Sequence, residues 1–223
     1  TNISRLIPAG SVSIEVYADK NTTADEMFSQ GKEMFSWIPN VYPAGSPAES
    51  QNSADGGEVK TSGGAHIKYP TTTAGLEAAE RSIQDGMRVN MTLVFSAEQA
   101  AAVHAATRGA KKGDVFVSPF IGRLDDIGEN GMDLIRNVRQ MYDEAESHVE
   151  ILAASIRSMD HFFASLALKA NILTVPAKNI KKWVASGKLT PKEYDYDAKN
   201  LKPIPYRKLD LSKISQPADC TAV

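Results

Sequence analysis

The sequence predicts an α/β fold in which helices cover a parallel sheet, and three observations carry that expectation. Short β-rich runs alternate strictly with helical stretches from residue 11 to about residue 187, the pattern of successive βα units. No glycine-rich turn of the dinucleotide-binding type follows any of these strands, so a doubly wound sheet has no positive signal. Polar residues recur at strand ends, namely Glu15, Lys68, Asn90, Thr92, Ser118, Ser155 and Arg157. Working residues projecting from the C-terminal ends of several strands are the mark of a closed barrel. The expected class is a TIM (β/α)8-type barrel. It is expected to be incomplete, because an eight-unit barrel takes roughly 250 residues and about six units are present.

The elements follow in order. Residues 11–17 read as a strand, and 24–36 as a helix with Met27, Phe28, Gly31 and Phe35 on one face. Residues 66–69 form a second short strand and 73–85 a helix. A strand at 88–95 leads to an alanine-rich helix at 97–108. The strand at 115–117 precedes a helix at 131–147 with Met132, Ile135, Val138 and Tyr142 on its core stripe. Residues 150–154 are the next strand, and 160–169 a helix capped by Asp160. The last strand is 172–175, and the helix at 177–186 packs Ile180, Trp183 and Val184.

Two stretches fall outside this rhythm. Residues 43–64 are rich in Pro, Gly, Ser and Asn without periodicity, so a flexible insertion is expected there. The insertion enters ahead of the Lys68 strand, which in a barrel is the face opposite the site. From residue 188 to 223 the chain carries Pro191, Pro203, Pro205 and Pro217 and should run extended over the surface. The expected organisation is one barrel domain at 1–187 and an extended tail at 188–223.

Composition narrows the function class. A net charge of -2 gives no reason to expect a nucleic acid or an anionic membrane as partner. No apolar run approaches the roughly 18 residues of a membrane helix. The first residues, TNISR, lack a secretory pattern. The single cysteine, Cys220, excludes an internal disulfide. A cytoplasmic protein is the expectation.

The chemistry centres on Lys68. A Schiff-base lysine must be neutral part of the time, which needs burial or a nearby positive charge. Lys68 lies between Ile67 and Tyr69, so alternation sends its side chain to the face opposite theirs. A lysine in a buried strand has a purpose or a partner; on an edge strand it would simply face solvent. Glu15 sits between Ile14 and Val16, a costly place for a carboxylate unless it meets a polar cavity. Asn90 and Thr92 share one side of their strand. A carboxylate and a hydroxyl could hold a water between them for proton transfer, although Thr92 alone is explained as well by β-propensity. Ser118 and Arg123 share one loop, and Ser155 and Arg157 the next. Two arginines suit bidentate contacts to a phosphoryl group; surface salt bridges, for instance of Arg123 with Asp125 or Asp126, are the alternative.

At these residues the sequence resembles the transaldolase family, specifically its short, mostly microbial branch. The matching stretches are VSIEV at 12–16, IKYP at 67–70, NMTLVFS at 90–96, SPFIGRLDD at 118–126, ASIR at 154–157 and LTVP at 173–176. The resemblance implies a Schiff-base barrel that moves a dihydroxyacetone unit from a ketose phosphate, sedoheptulose 7-phosphate or fructose 6-phosphate, to an aldose phosphate in the pentose phosphate pathway. It implies Lys68 as the Schiff-base lysine, with Glu15 and Thr92 holding the proton-transferring water and Asn90 helping to bind the intermediate. Ser118, Phe120, Arg123, Ser155 and Arg157 would line the substrate and phosphate site. Neither a metal nor an organic cofactor is implied, since the protonated imine is the electron sink.

Glu15 and Phe120 side with transaldolase, whereas the related fructose-6-phosphate aldolases usually carry glutamine and tyrosine there. Tyr69 departs from the family, which usually has an apolar residue. The family's first two strands, and the aspartate on the first of them, have no match. That leaves three readings: an active transaldolase, an inactive homologue that binds sugar phosphates or acts as a scaffold, or an incomplete gene product. Sugar phosphates are the expected partners, and a second copy of the chain is kept open.

Overall fold

The computed structural model describes residues 10–38, 64–191 and 193–214. Six strands form one sheet in the order β1-β2-β3-β4-β5-β6, every neighbouring pair parallel. They are β1 (Val12–Glu15), β2 (Ala65–Pro70), β3 (Arg88–Val94), β4 (Val115–Pro119), β5 (Glu150–Ala153) and β6 (Ile172–Leu173). Spatial order equals chain order, with no reversal of the kind a doubly wound sheet requires. The architecture is an incomplete TIM-type barrel.

The helices are α1 (Ala24–Ser36), α2 (Thr73–Gln84), α3 (Ala97–Ala106), α4 (Ile121–Asp126), α5 (Gly131–Glu144), α6 (Met159–Ala167) and α7 (Ala177–Ala185). Thr23 opens α1 with a capping box closed by Glu26, and Thr72, Ser96 and Asn130 accept a backbone N–H at the starts of α2, α3 and α5. Ser158 does the same for α6. This corrects the expectation that Asp160 caps that helix: Ser158 Oγ accepts the His161 N–H, which leaves Asp160 inside the first turn. The short α4 gave no periodicity to read, since six residues make fewer than two turns.

Strand alternation divides the sheet into two faces. Ile67, Tyr69, Val89, Met91, Val117 and Ile151 are fully buried and belong to the main core. Each buried aliphatic side chain there contributes about 1.5–3 kcal/mol. The opposite face carries a register row of Glu15, Lys68, Asn90, Phe116 and Glu150. His66 also lies on it, stacked on Phe116 at 4.0 Å between centroids.

Tyr69 fits the core because α1 makes room for it. An added Cβ on Gly31 would lie 2.0 Å from the Tyr69 hydroxyl, which shares a 3.0 Å hydrogen bond with Ser82 Oγ on α2. Only glycine lets α1 approach this strand so closely.

One packing expectation fails. Ile180 and Val184 on α7 are exposed at 38% and 49%. The helix turns Asn179 inward instead, and Trp183 meets the Phe162 ring at 5.6 Å. Because α7 follows the last strand of the sheet, no further described βα unit covers the outer half of its apolar stripe.

The predicted insertion lies outside the described residues except Gly64, and Cys220 also falls outside them. Residues 193–214 run across the helices. The Asn130 N–H donates to Lys202 O at 2.9 Å, and the Lys202 N–H donates to Gly128 O at 2.7 Å. Asn137 Nδ2 donates to Ile204 O at 3.0 Å. A 3-10 turn at Leu211–Lys213 buries Leu211.

Candidate active site

Parallel pairing places Glu15 beside Lys68 in register, and Lys68 Nζ donates to Glu15 Oε2 at 2.9 Å. The side chains are 23% and 52% exposed, respectively. An ion pair this open contributes about 0–1 kcal/mol, so stability does not account for a lysine and a carboxylate on this face. Glu15 is the last residue of β1 and is exposed. The expectation of a carboxylate enclosed in mid-strand is corrected on that point.

Asn90 occupies the next position in the row. Its Nδ2 donates to Ser13 Oγ at 3.1 Å, and its Oδ1 accepts from Ser118 Oγ at 2.7 Å. Ser13 belongs to β1, two strands from β3. In a flat sheet such strands lie about 10 Å apart, so the bond across β2 requires this face to be concave. Asn90 and Ser118 are almost wholly buried, and each satisfies the other.

Thr92 lies one pleat beyond Asn90, opposite Pro70 on β2. It is fully buried, and its Oγ1 has no hydrogen-bond partner among the described residues. A buried hydroxyl without a partner is rare, and such an atom marks a place for water or ligand. Just past it, Leu93 takes φ +60° within a register shift of β3, a costly conformation for a bulky residue. Gln99 on α3 braces this exit: its Oε1 accepts the Phe95 N–H at 2.7 Å, and its Nε2 donates to Thr71 O at 3.3 Å. The structure does not join Thr92 directly to Glu15, whose side chain meets Lys68.

The remaining residues lie on two loops in contact. Phe120 bridges to Ala154, and the Ile121 N–H donates to Ala154 O at 3.2 Å. A Cβ on Gly122 would lie 2.2 Å from Ser155 O, so glycine is what lets the loops touch. Arg123 is exposed, with its guanidinium 5.2 Å from the centre of the Phe120 ring. Ser155 takes φ +60°, and its Oγ accepts from Arg157 Nε at 3.2 Å. Arg157 Nη2 donates to Asp126 Oδ2 at 2.8 Å. Thus Asp126 pairs with Arg157 rather than Arg123, and Asp125 is taken by His161 at 2.7 Å.

Ser13, Gln99 and His161 are residues that sequence reasoning missed, and Asp126 was expected only as a partner for Arg123. Only Ser13 carried a usable signal, since it shares a strand face with Glu15. An open cleft of about 360 Å³ lies on the segment after β1, lined by Tyr17, Asp19, Asn21, Thr22, Glu26 and Gln30. Lys68 does not line it. Among the described residues no three His, Cys, Asp or Glu side chains gather as a metal site, and no helix is long and apolar enough to cross a membrane.

The family description Transaldolase/Fructose-6-phosphate aldolase matches residues 1–216. The chain belongs to this family. It is 37% identical over 175 residues to a probable transaldolase of Ruegeria sp. (strain TM1040), covering 78% of this chain and 65% of the relative. A probable transaldolase of Cereibacter sphaeroides is 36% identical over 173 residues, covering 78% of this chain and 64% of the relative. One from Brucella anthropi is 46% identical over 115 residues, covering 52% of this chain and 50% of the relative. The chain thus spans between half and about two-thirds of these relatives of the transaldolase/aldolase family.

Proposed function

We propose that the protein acts as a transaldolase, with Lys68 as the Schiff-base amine. The observation that supports this best is the Lys68–Glu15 contact of 2.9 Å on the concave, polar-lined face of a barrel sheet. Lys68 Nζ, once relieved of a proton, attacks the ketone carbon of the donor, and loss of water from the carbinolamine gives a protonated imine. A base then removes the proton from the hydroxyl on the far carbon of the scissile bond. The carbon–carbon electron pair flows into the imine, an aldose phosphate leaves, and a three-carbon enamine stays on Lys68. The enamine attacks the aldehyde of an acceptor, and hydrolysis frees the lysine.

Glu15 is the proposed base, working through a water that also meets Thr92 Oγ1, a buried hydroxyl with no hydrogen-bond partner among the described residues. Asn90, held between Ser13 and Ser118, orients the imine. The phosphate is assigned to Arg123 and Arg157, with Ser155 beside them.

The test is transfer from fructose 6-phosphate to an aldose phosphate, followed by product chromatography on the parent and Lys68→Met. The parent should form the transferred ketose phosphate and the variant none. Equal product from both would remove Lys68 from the chemistry, and free dihydroxyacetone from the parent would indicate an aldolase instead.

A further inference from the structure

Beyond the two arginine loops lies a hydrogen-bonded cluster outside the chemistry proposed above. His161 on α6 is 5% exposed. Its Nδ1 accepts the Arg157 backbone N–H at 3.1 Å, which puts the ring hydrogen on Nε2 in the neutral tautomer. Nε2 faces Asp125 Oδ2 at 2.7 Å and the Tyr196 hydroxyl at 2.9 Å. Tyr196 also donates to Asp125 Oδ2, and Asp125 Oδ1 accepts the Gly131 N–H at 2.9 Å.

Burial pushes the Asp125 carboxyl up, but the hydrogen bonds from His161, Tyr196 and Gly131 outweigh it and hold the group below its ordinary range. Burial, then Asp125, pushes the Tyr196 hydroxyl up, so it remains a donor. Asp125 lies two residues from Arg123 on α4, whereas His161 holds the main chain at Arg157. One tyrosine from residues 193–214 therefore touches Asp125, beside the first arginine, and His161, which holds the second.

We infer that Tyr196 and His161 are positioning residues for the phosphate loops, so that the C-terminal segment is part of the binding site and not only a strap. The Arg157 main chain needs such support. It follows Ser155, whose φ of +60° is unfavourable for a residue other than glycine. The Ile121–Ala154 bond fixes the preceding side of the strained turn, and His161 fixes the side beyond it. With the backbone pinned, Ser155 and Asp126 can aim the guanidinium. The inference rests on reading these loops as a phosphate site.

Tyr194 supplies the control. Its hydroxyl ties the same segment to Asp160 rather than to Asp125 or His161. Inorganic phosphate is titrated calorimetrically into the parent, Tyr196→Phe and Tyr194→Phe, and urea unfolding checks that each is folded. Phosphate affinity should fall about three- to tenfold in Tyr196→Phe and stay within twofold in Tyr194→Phe. His161→Gln, whose amide offers both an acceptor and a donor, should keep more affinity than His161→Leu. Borohydride trapping of dihydroxyacetone, which has no phosphate, should be the same in the parent and both tyrosine variants.

Equal phosphate affinity in the two tyrosine variants would overturn the inference and leave the phosphate site standing. No saturable binding to the parent would overturn both. Phosphate binding without any trapping would sink the Schiff-base proposal alone.

Discussion

Replacing Gly31 by alanine tests how the strand bearing Lys68 is held. In an exposed helix Gly→Ala stabilises by about 0.5–1 kcal/mol, so propensity alone predicts a gain. The packing predicts a loss. The new Cβ would sit 2.0 Å from the Tyr69 hydroxyl, 2.9 Å from its Cζ and 3.0 Å from Ile67 Cγ2. Tyr69 is fully buried and has no open side to move into. Forcing the ring or the helix aside costs about 1–3 kcal/mol, and breaking the Tyr69–Ser82 bond adds about 1 kcal/mol. The expected net effect is destabilisation by about 2 kcal/mol, read by urea unfolding with circular dichroism.

A double-mutant cycle sharpens the test. Tyr69→Phe alone should cost about 1 kcal/mol, since Ser82 Oγ keeps its 2.8 Å bond to Ala78 O. Adding Tyr69→Phe to Gly31→Ala removes the worst contact and should recover about 1 kcal/mol, where additivity would predict a further loss of about 1 kcal/mol. A Gly31→Ala protein as stable as the parent, or more so, would refute the packing of Tyr69 and with it the placement of Lys68 on the concave face.

Two further outcomes follow from the same geometry. Glu15→Gln should change stability by less than about 1 kcal/mol, because the ion pair is open to solvent, while transfer falls about a hundredfold or more if the carboxylate is the base; unfolding and product formation on the same preparation separate the two. Burial, then the Arg88 guanidinium, pushes His66 down from 6.5 to about 3. Above pH 6.5 neither state protonates this histidine, and below it only the unfolded chain takes up the proton, so stability is lost as pH falls from 6.5 toward 3. By pH 4 the loss is on the order of 3 kcal/mol, and His66→Gln should show a correspondingly shallower decline between pH 7 and pH 4 in urea titrations.

The sequence showed what is periodic and hid what depends on contact. Lys68 and Asn90 were legible as inward residues because alternation is local. The partnership of Lys68 with Glu15 was not, since it depends on the register of two strands 53 residues apart in the chain. Ser118, Arg123, Ser155 and Arg157 could be read as two similar loops. That the loops touch, and that Asp126 pairs with Arg157 instead of Arg123, depends on the approach Gly122 permits. His161 drew no reading from the sequence, because its partners are a main-chain N–H four residues earlier and a tyrosine 35 residues later. The apolar stripe Ile180–Trp183–Val184 misled because periodicity shows which residues share a face, not whether a neighbour covers it.

The most direct measurement is borohydride reduction in the presence of fructose 6-phosphate, followed by peptide mass mapping. A dihydroxyacetone-sized adduct on Lys68, absent without donor or without borohydride, is the predicted result. An adduct on another lysine, or none on protein shown to be folded, would contradict the assignment of Lys68 and with it the proposed transfer.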